Sequence, residues 1–158
     1  MAANKVKIGG KVPEFSLPST GNKNVRLSGL KGKNIIIYFY PKDATPGCTI
    51  EGQNFRDNIR KFSLCNAIVL GVSRDKITSH EKFKKNQKFP FDLLSDEDEK
   101  ICKMFDVIKE KNMYGRKVIG IERSTFLIDK KGILRNEWRK VKVKEHVNDV
   151  LQILEKLK

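Results

Sequence analysis

Two short runs of β-branched and aromatic residues constrain this chain most. They are Asn34-Ile-Ile-Ile-Tyr-Phe-Tyr40 and Asn66-Ala-Ile-Val-Leu-Gly-Val72. A strand with one wet face alternates apolar and polar residues, whereas a strand covered on both faces reads as a continuous apolar run. Both runs therefore predict strands in the middle of a sheet. Between them Cys48, Gly52, Phe55, Ile59 and Phe62 recur at steps of three and four, which is one face of a helix. Strand, helix and strand in that order predict a βαβ unit with a parallel pair.

The other segments fit around that unit. Residues 76–88 predict a polar helical crossover, 91–94 a short extended piece and 98–105 a short helix with Ile101, Met104 and Phe105 on one face. Segment 106–120 reads as an irregular loop. Ser124–Asp129 and Ile133–Trp138 predict a hairpin about Lys130-Lys131-Gly132, with Trp138 packed on it. Val147, Val150, Leu151, Leu154 and Leu157 repeat as the apolar stripe of a C-terminal helix. The expected fold class is α/β, a mixed central sheet flanked by helices. With 158 residues and no repeat or linker, a single domain over 1–158 is expected. His80 and His146 are expected on the surface.

Composition narrows the function classes. No run approaches the ~18 apolar residues of a membrane span, and the first ten residues hold no apolar leader stretch. Three cysteines without a CxxC, and two distant histidines, fit neither a secreted disulfide scaffold nor a structural zinc site. A reducing, cytoplasmic setting is expected, with at least one free thiol. The net charge is +14, from 33 Lys plus Arg against 19 Asp plus Glu. The lysines are scattered, with no basic tail and no aromatic RNA-binding pattern. A solvated basic surface and weak, salt-sensitive nucleic-acid association are expected, not specific binding.

Chemistry concentrates where the first strand run ends. Pro41-Lys-Asp-Ala-Thr45-Pro46-Gly47 is a loop signal, and Cys48 follows in the first turn of the helix. Unpaired amides and the positive end of the helix dipole favour a thiolate there. A thiol–disulfide exchanger would carry a second cysteine three positions earlier, where Thr45 stands. The pattern suits a lone nucleophile attacking a polar, oxygen-containing substrate.

The run Tyr38-Phe-Tyr-Pro41-Lys-Asp-Ala-Thr45-Pro-Gly-Cys48-Thr-Ile-Glu51 resembles the active-site segment of peroxiredoxins, closest to the peroxiredoxin Q or bacterioferritin comigratory protein branch. Further matches are Lys11-Val-Pro-Glu-Phe15, Asn112-Met-Tyr-Gly115, Gly120-Ile-Glu-Arg123-Ser-Thr-Phe-Leu-Ile-Asp129 and Trp138-Arg-Lys-Val-Lys-Val-Lys144. Together they span Val12 to Leu154.

The resemblance implies a thioredoxin-like fold with an N-terminal extension, and reduction of hydrogen peroxide and organic hydroperoxides. It implies Cys48 as the peroxidatic thiolate that becomes a sulfenic acid. Thr45 would hydrogen-bond the peroxide, Arg123 would favour the thiolate and developing charge, and Pro41 would shield the pocket. Amides around Gly47 would supply further donors. Glu51 either orients Arg123 or serves the helix start. No metal or organic cofactor is implied. A monomer or weak dimer is implied, as is an external thiol reductant: thioredoxin, glutaredoxin or a small thiol.

One departure stands out. The branch's second cysteine would fall at Gln53, or near Phe83-Lys84, and neither place holds one. A one-cysteine mechanism is therefore expected. Cys65 and Cys102 read as buried structural thiols, with Cys102 the alternative resolving residue. A peroxide sensor or relay on the same residues is the other reading.

Overall fold

The computed structural model describes residues 5–157. Residues 1–4 and 158, which enter the expected 1–158 domain and the reading of the N-terminus, lie outside the described residues. A hairpin of β1 (Ser16–Ser19) and β2 (Lys23–Arg26) precedes the first apolar run, which forms β3 (Asn34–Phe39). Helices α1 (Pro46–Asp57) and α2 (Ile59–Leu64) lead to β4 (Ala67–Ser73), and α3 (Ile77–Gln87) leads to β5 (Asp92–Ser95). Helix α4 (Lys100–Met104), the ribbon β6 (Ile108–Met113) and β7 (Arg116–Ile121), the hairpin β8 (Ser124–Ile128) and β9 (Leu134–Trp138), and α5 (His146–Glu155) follow.

Among the described residues the main sheet has seven strands, in the order β2-β1-β5-β4-β3-β8-β9. Strand β3 runs parallel to β4, and β4 parallel to β5, so the βαβ reading holds and a second unit extends it. Strand β8 closes against β3 antiparallel, which makes the sheet mixed. Ile35, Ile37 and Phe39 enter one apolar cluster with Ile101, Phe105 and Phe126. Ile36 and Tyr38 enter the other with Phe55, Phe62, Val150 and Leu154 from the helices. That two-sided burial is why the run shows no polar alternation. No helix among the described residues is long and apolar enough to cross a membrane.

Three expectations need correction. Segment 106–120 is not irregular: β6 and β7 pair antiparallel from Ile108↔Ile121 to Met113↔Arg116. Tyr114 (φ 51°) and Gly115 (φ 78°) give the two left-handed residues of a two-residue hairpin turn. The ribbon stands outside the main sheet and β7 is exposed over most of its length, so no buried face imposes a period of two. The predicted single helix face is carried by two helices. Asn58 sits between them, and its side-chain amide donates to the Asn54 carbonyl at 2.8 Å, competing with the backbone ladder. His80 and His146 are buried. His80 lies between α3 and β5, and His146 lies against Thr125 and the edges of Phe55 and Trp138. Burial pushes the His146 ring down to about 4, which Asp149 partly opposes.

Gly52 shows why a small residue is needed on the inner face of α1. A Cβ there would stand 2.4 Å from the ring of Phe89, itself packed on Phe83 and Phe91. Gly52→Ala is expected to destabilise the fold by about 1–3 kcal/mol despite its better helix propensity, because the ring stack cannot retreat freely. Urea denaturation of the two proteins checks this.

Candidate active site

Two strand ends assemble the site. Strand β3 pairs with β8 as far as Phe39↔Ser124. One step further, Arg123 lies beside Tyr40, where β3 gives way to the Cys48 loop. The Arg123 carbonyl is pinned by the Val141 amide at 2.9 Å. Its side chain then spans the start of α1. Nη2 lies 3.4 Å from Cys48 Sγ, and Nη1 lies 2.6 Å from Glu51 Oε1.

Helix α1 begins at Pro46 with Thr45 as its N-cap. Proline at the first position loses nothing there, since that amide would have no partner. The first-turn amides of Gly47 and Cys48 have no acceptor within the helix, while Thr49 N–H bonds the Thr45 carbonyl at 2.9 Å. Gly47 lets the guanidinium approach: a Cβ there would meet Nη2 at 3.1 Å. Cys48 is only 1% exposed, so its sulfur faces the guanidinium and the helix end rather than bulk water. Pro41, Thr45 and Gly47 are half-buried around it. The Thr45 hydroxyl donates to the Lys42 carbonyl at 2.8 Å, which leaves its oxygen lone pairs as acceptors.

Burial pushes the fully buried Glu51 carboxyl up to about 7, with Arg123 pulling the other way. Its Oε2 has no hydrogen-bond partner among the described residues. For Arg123, burial works against the charge, but Glu51 and then Cys48 more than offset it, and the guanidinium ends above its ordinary value. Lys111 adds a second cation that the sequence reading did not single out. Its Nζ donates to the Ile121 carbonyl, and burial, then Arg123, hold it below its ordinary value. No periodic pattern marks Lys111, because it sits on the largely exposed ribbon β6–β7.

The other sequence candidates separate. Cys102 packs in the apolar cluster on the opposite face of the sheet from Cys48. Burial, and then Asp96, push its thiol far up. Cys65 shares the Cys48 face but caps α2 at the other end of β3, where its carbonyl accepts from Asn34. The six residues of β3 put roughly 20 Å between those ends. Gln53 is tied to Gln87 of α3 at 2.9 Å, and Phe83 is buried in the core.

A lone buried thiol at a helix start, faced by a partly buried arginine on a thioredoxin-like α/β scaffold, defines a thiol-reactive enzyme. Comparison with known proteins makes this specific. Residues 8–137 match the AhpC/TSA family. Peroxiredoxin Bcp of Bacillus subtilis is 50% identical over 149 residues, covering 94% of this chain and 95% of that protein. The structure of peroxiredoxin Q from Xylella fastidiosa superposes with a TM-score of 0.91 at 44% identity, covering 96% of this chain and 97% of that one. A structure concerned with the alkyl peroxide reduction activity of the Xanthomonas campestris bacterioferritin comigratory protein gives 0.87 at 48% identity, covering 90% and 91%. The chain belongs to the AhpC/TSA family, in the peroxiredoxin Q or Bcp branch, and is an enzyme of the thiol peroxidase class.

The raised Glu51 has a signed consequence. In the window from its ordinary 4.5 to about 7 the native state holds more protons than the unfolded chain. The stability that Glu51 contributes is therefore full below that window and lost as pH rises through about 7. Between pH 5 and 8 the unfolding free energy of the wild type should fall relative to Glu51→Gln, by as much as about 3 kcal/mol. Parallel pH slopes in denaturant titrations of the two proteins would contradict this.

Proposed function

We propose that this peroxiredoxin reduces hydrogen peroxide and organic hydroperoxides at Cys48, and that an external thiol rather than a second cysteine regenerates it. The observation that carries the reading is the 3.4 Å approach of Arg123 Nη2 to a sulfur seated at the start of α1. A fixed cation and an open helix end both favour negative charge on sulfur.

The thiolate attacks the terminal peroxide oxygen. An S–O bond forms as the O–O bond breaks, and the departing alkoxide takes a proton to leave as an alcohol, or as water from hydrogen peroxide. Arg123 and the Gly47 and Cys48 amides face the charge that spreads over the two oxygens. The Thr45 oxygen, with its proton committed to Lys42, accepts a hydrogen bond from the peroxide O–H. Pro41 limits water at the pocket. Alkyl peroxide reduction named for the Xanthomonas campestris relative supports organic hydroperoxides as substrates here.

The Cys48 sulfenic acid is then attacked by a thiol, giving a mixed disulfide and water. A second thiol releases Cys48 and leaves as the disulfide. Placement of Cys102 beyond the sheet and of Cys65 at the far end of β3 supports an outside donor. A thioredoxin, a glutaredoxin or a small thiol meets the requirement, and a reducing cytoplasmic compartment would supply it. Cys48, Thr45, Glu51 and Arg123 all come from one chain, so a monomer suffices.

Cys48→Ser is expected to abolish peroxidase turnover, whereas Cys65→Ser and Cys102→Ser keep most of it. Arg123→Ala should lower kcat/KM for peroxide by about 10²–10³-fold. After one equivalent of hydrogen peroxide, intact-mass analysis with a sulfenic-acid trap should place a single adduct on Cys48. A disulfide joining Cys48 to either other cysteine would overturn the one-cysteine route.

A further inference from the structure

We propose that Asp43 and His80 form a proton-carrying clasp on the Cys48 loop, and that this clasp sets how the Cys48 sulfenic acid divides between reduction by thiol and over-oxidation by peroxide. The proposal rests on Cys48 as the peroxidatic residue. It concerns two side chains that touch neither sulfur nor substrate and act as positioning residues.

The need for a clasp follows from burial. A peroxide is small enough to enter a closed pocket. A thiol reductant must bring its own sulfur, with the chain attached to it, into line with the S–O bond of a residue that is 1% exposed. The first turn of α1 has to lift for that to happen. On its N-terminal side this turn is held only as firmly as the loop 41–45.

One side chain anchors that loop. Asp43 is buried, and its Oδ1 accepts from the Tyr40 hydroxyl at 2.6 Å. Its Oδ2 accepts from the Ser79 hydroxyl at 2.8 Å and faces His80 Nδ1 at 2.7 Å. The Asp43 amide donates to Asp75 Oδ2 at 2.9 Å, and that oxygen also accepts from Ser73. The ligand-type atoms of Asp43, Asp75 and His80 lie within 4.8 Å of one another. They are already committed to these hydrogen bonds, so the trio reads as a latch and not as a cation site. Ala44 follows in the left-handed region at φ 63°, a strained state for a residue with a Cβ. The Asp43 bonds hold that strain in place next to Thr45.

The latch carries a proton that its geometry requires. His80 Nε2 faces the Leu94 carbonyl at 2.9 Å, which can only accept, so Nε2 bears hydrogen. A neutral ring would then present a lone pair at Nδ1 to the Asp43 carboxylate. The 2.7 Å contact therefore holds one further proton, on Nδ1 or on Oδ2. Besides each other, the pair faces the Tyr40 and Ser79 hydroxyls, the Leu94 carbonyl and, through the Asp43 amide, Asp75. Loss of either partner leaves a buried group unpaired and frees the loop.

Opening of the latch has opposite effects on two fates of the same sulfur. In the first, the sulfenic acid and a thiol give a mixed disulfide and water, which needs the lifted turn. In the second, the sulfenate takes an oxygen from a second hydroperoxide, giving the sulfinate and an alcohol, which needs the closed pocket. A looser clasp speeds the first and starves the second.

The test combines amide hydrogen exchange, stopped-flow oxidation and reduction, and nitrogen-15 spectra of the histidines. The proteins are the wild type, His80→Gln, Asp43→Asn and the milder Ser79→Ala. In His80→Gln, exchange over 46–52 should rise about tenfold while β3 and β4 stay protected. Dithiothreitol should reduce the sulfenic acid about tenfold faster, and sulfinic acid per turnover at high peroxide should fall. Ser79→Ala should move all three in the same direction by less. In the wild type the Nδ1–Oδ2 proton should couple to the His80 ring, and in Asp43→Asn that nitrogen should become a plain acceptor. Unchanged exchange at 46–52, exchange rising equally in β3, or the absence of any proton shared between His80 Nδ1 and Asp43 Oδ2 would overturn the clasp. If peroxide leaves wild-type Cys48 unoxidised, the active-site reading fails instead, and the exchange and nitrogen data still judge the clasp.

Discussion

The Arg123 guanidinium is the contact on which the rest of the site depends. It is largely buried, and it touches the Cys48 sulfur with one nitrogen and the Glu51 carboxylate with another. A buried cation without partners would cost several kcal/mol in desolvation, so it has to be met by acceptors on more than one side. Here those acceptors come from one helix, three residues apart, on the face that α1 turns toward the sheet. The arginine arrives by a different route, through the antiparallel register of β3 and β8. A two-residue slip in that register would carry Arg123 about 7 Å along the strand and out of reach of the sulfur. Core packing of Phe39 against Phe105 and Phe126 therefore fixes an electrostatic contact as much as it fixes the fold.

Much of this was legible because burial writes itself into sequence. The runs 34–40 and 66–72 are apolar on every residue that faces a layer, and the two helices between them show their inner faces at Cys48, Gly52 and Phe55 and at Ile59 and Phe62. Cys48 could be placed at a helix start because proline and glycine punctuate the loop before it. The β6–β7 ribbon was not legible, because only its base, at Ile108 and Ile121, reaches the core and the rest of β7 is exposed. The histidines misled for a related reason. A polar ring inside a core is announced only by its partners, and Asp43, Leu94 and Thr125 lie far from His80 and His146 in sequence. Arg123 is the middle case: pattern alone makes it a strand-flanking arginine, and only the resemblance to a family marks it.

Sheet topology also sets the cysteines apart. Cys48 and Cys102 are both buried, but they belong to different layers. The main sheet stands between them. Local unwinding of α1 would move Cys48 outward, away from the sheet and further from Cys102. The two thiols also differ in what surrounds them. Cys48 faces a cation, whereas the backbone amide of Cys102 donates to the Asp96 carboxylate and that negative charge works against a second one on the sulfur. Burial alone does not make a thiol inert; the sign of the nearest charge does.

Burial, which disfavours the charged form, is why Glu51 sits so far above an ordinary carboxyl, with Arg123 pulling the other way. With Cys48 as thiolate and Arg123 as cation, a proton kept on Glu51 makes the buried trio neutral. An ionised Glu51 then leaves it with a net negative charge. Its unpartnered Oε2 shows that the protein supplies only half of what a buried carboxylate would need. A value of about 7 places the trio between those two states near neutrality. Arg123 gains from both, since it hydrogen-bonds either form of the carboxyl through Oε1. Lys111, lodged on the neighbouring ribbon, is a second partly buried cation, held below its ordinary value by burial and then by Arg123. The chain's large positive charge is mostly solvated lysine and says little about chemistry. These two partly buried cations, placed by one hairpin register and one strand end, are the part of it that reaches the sulfur.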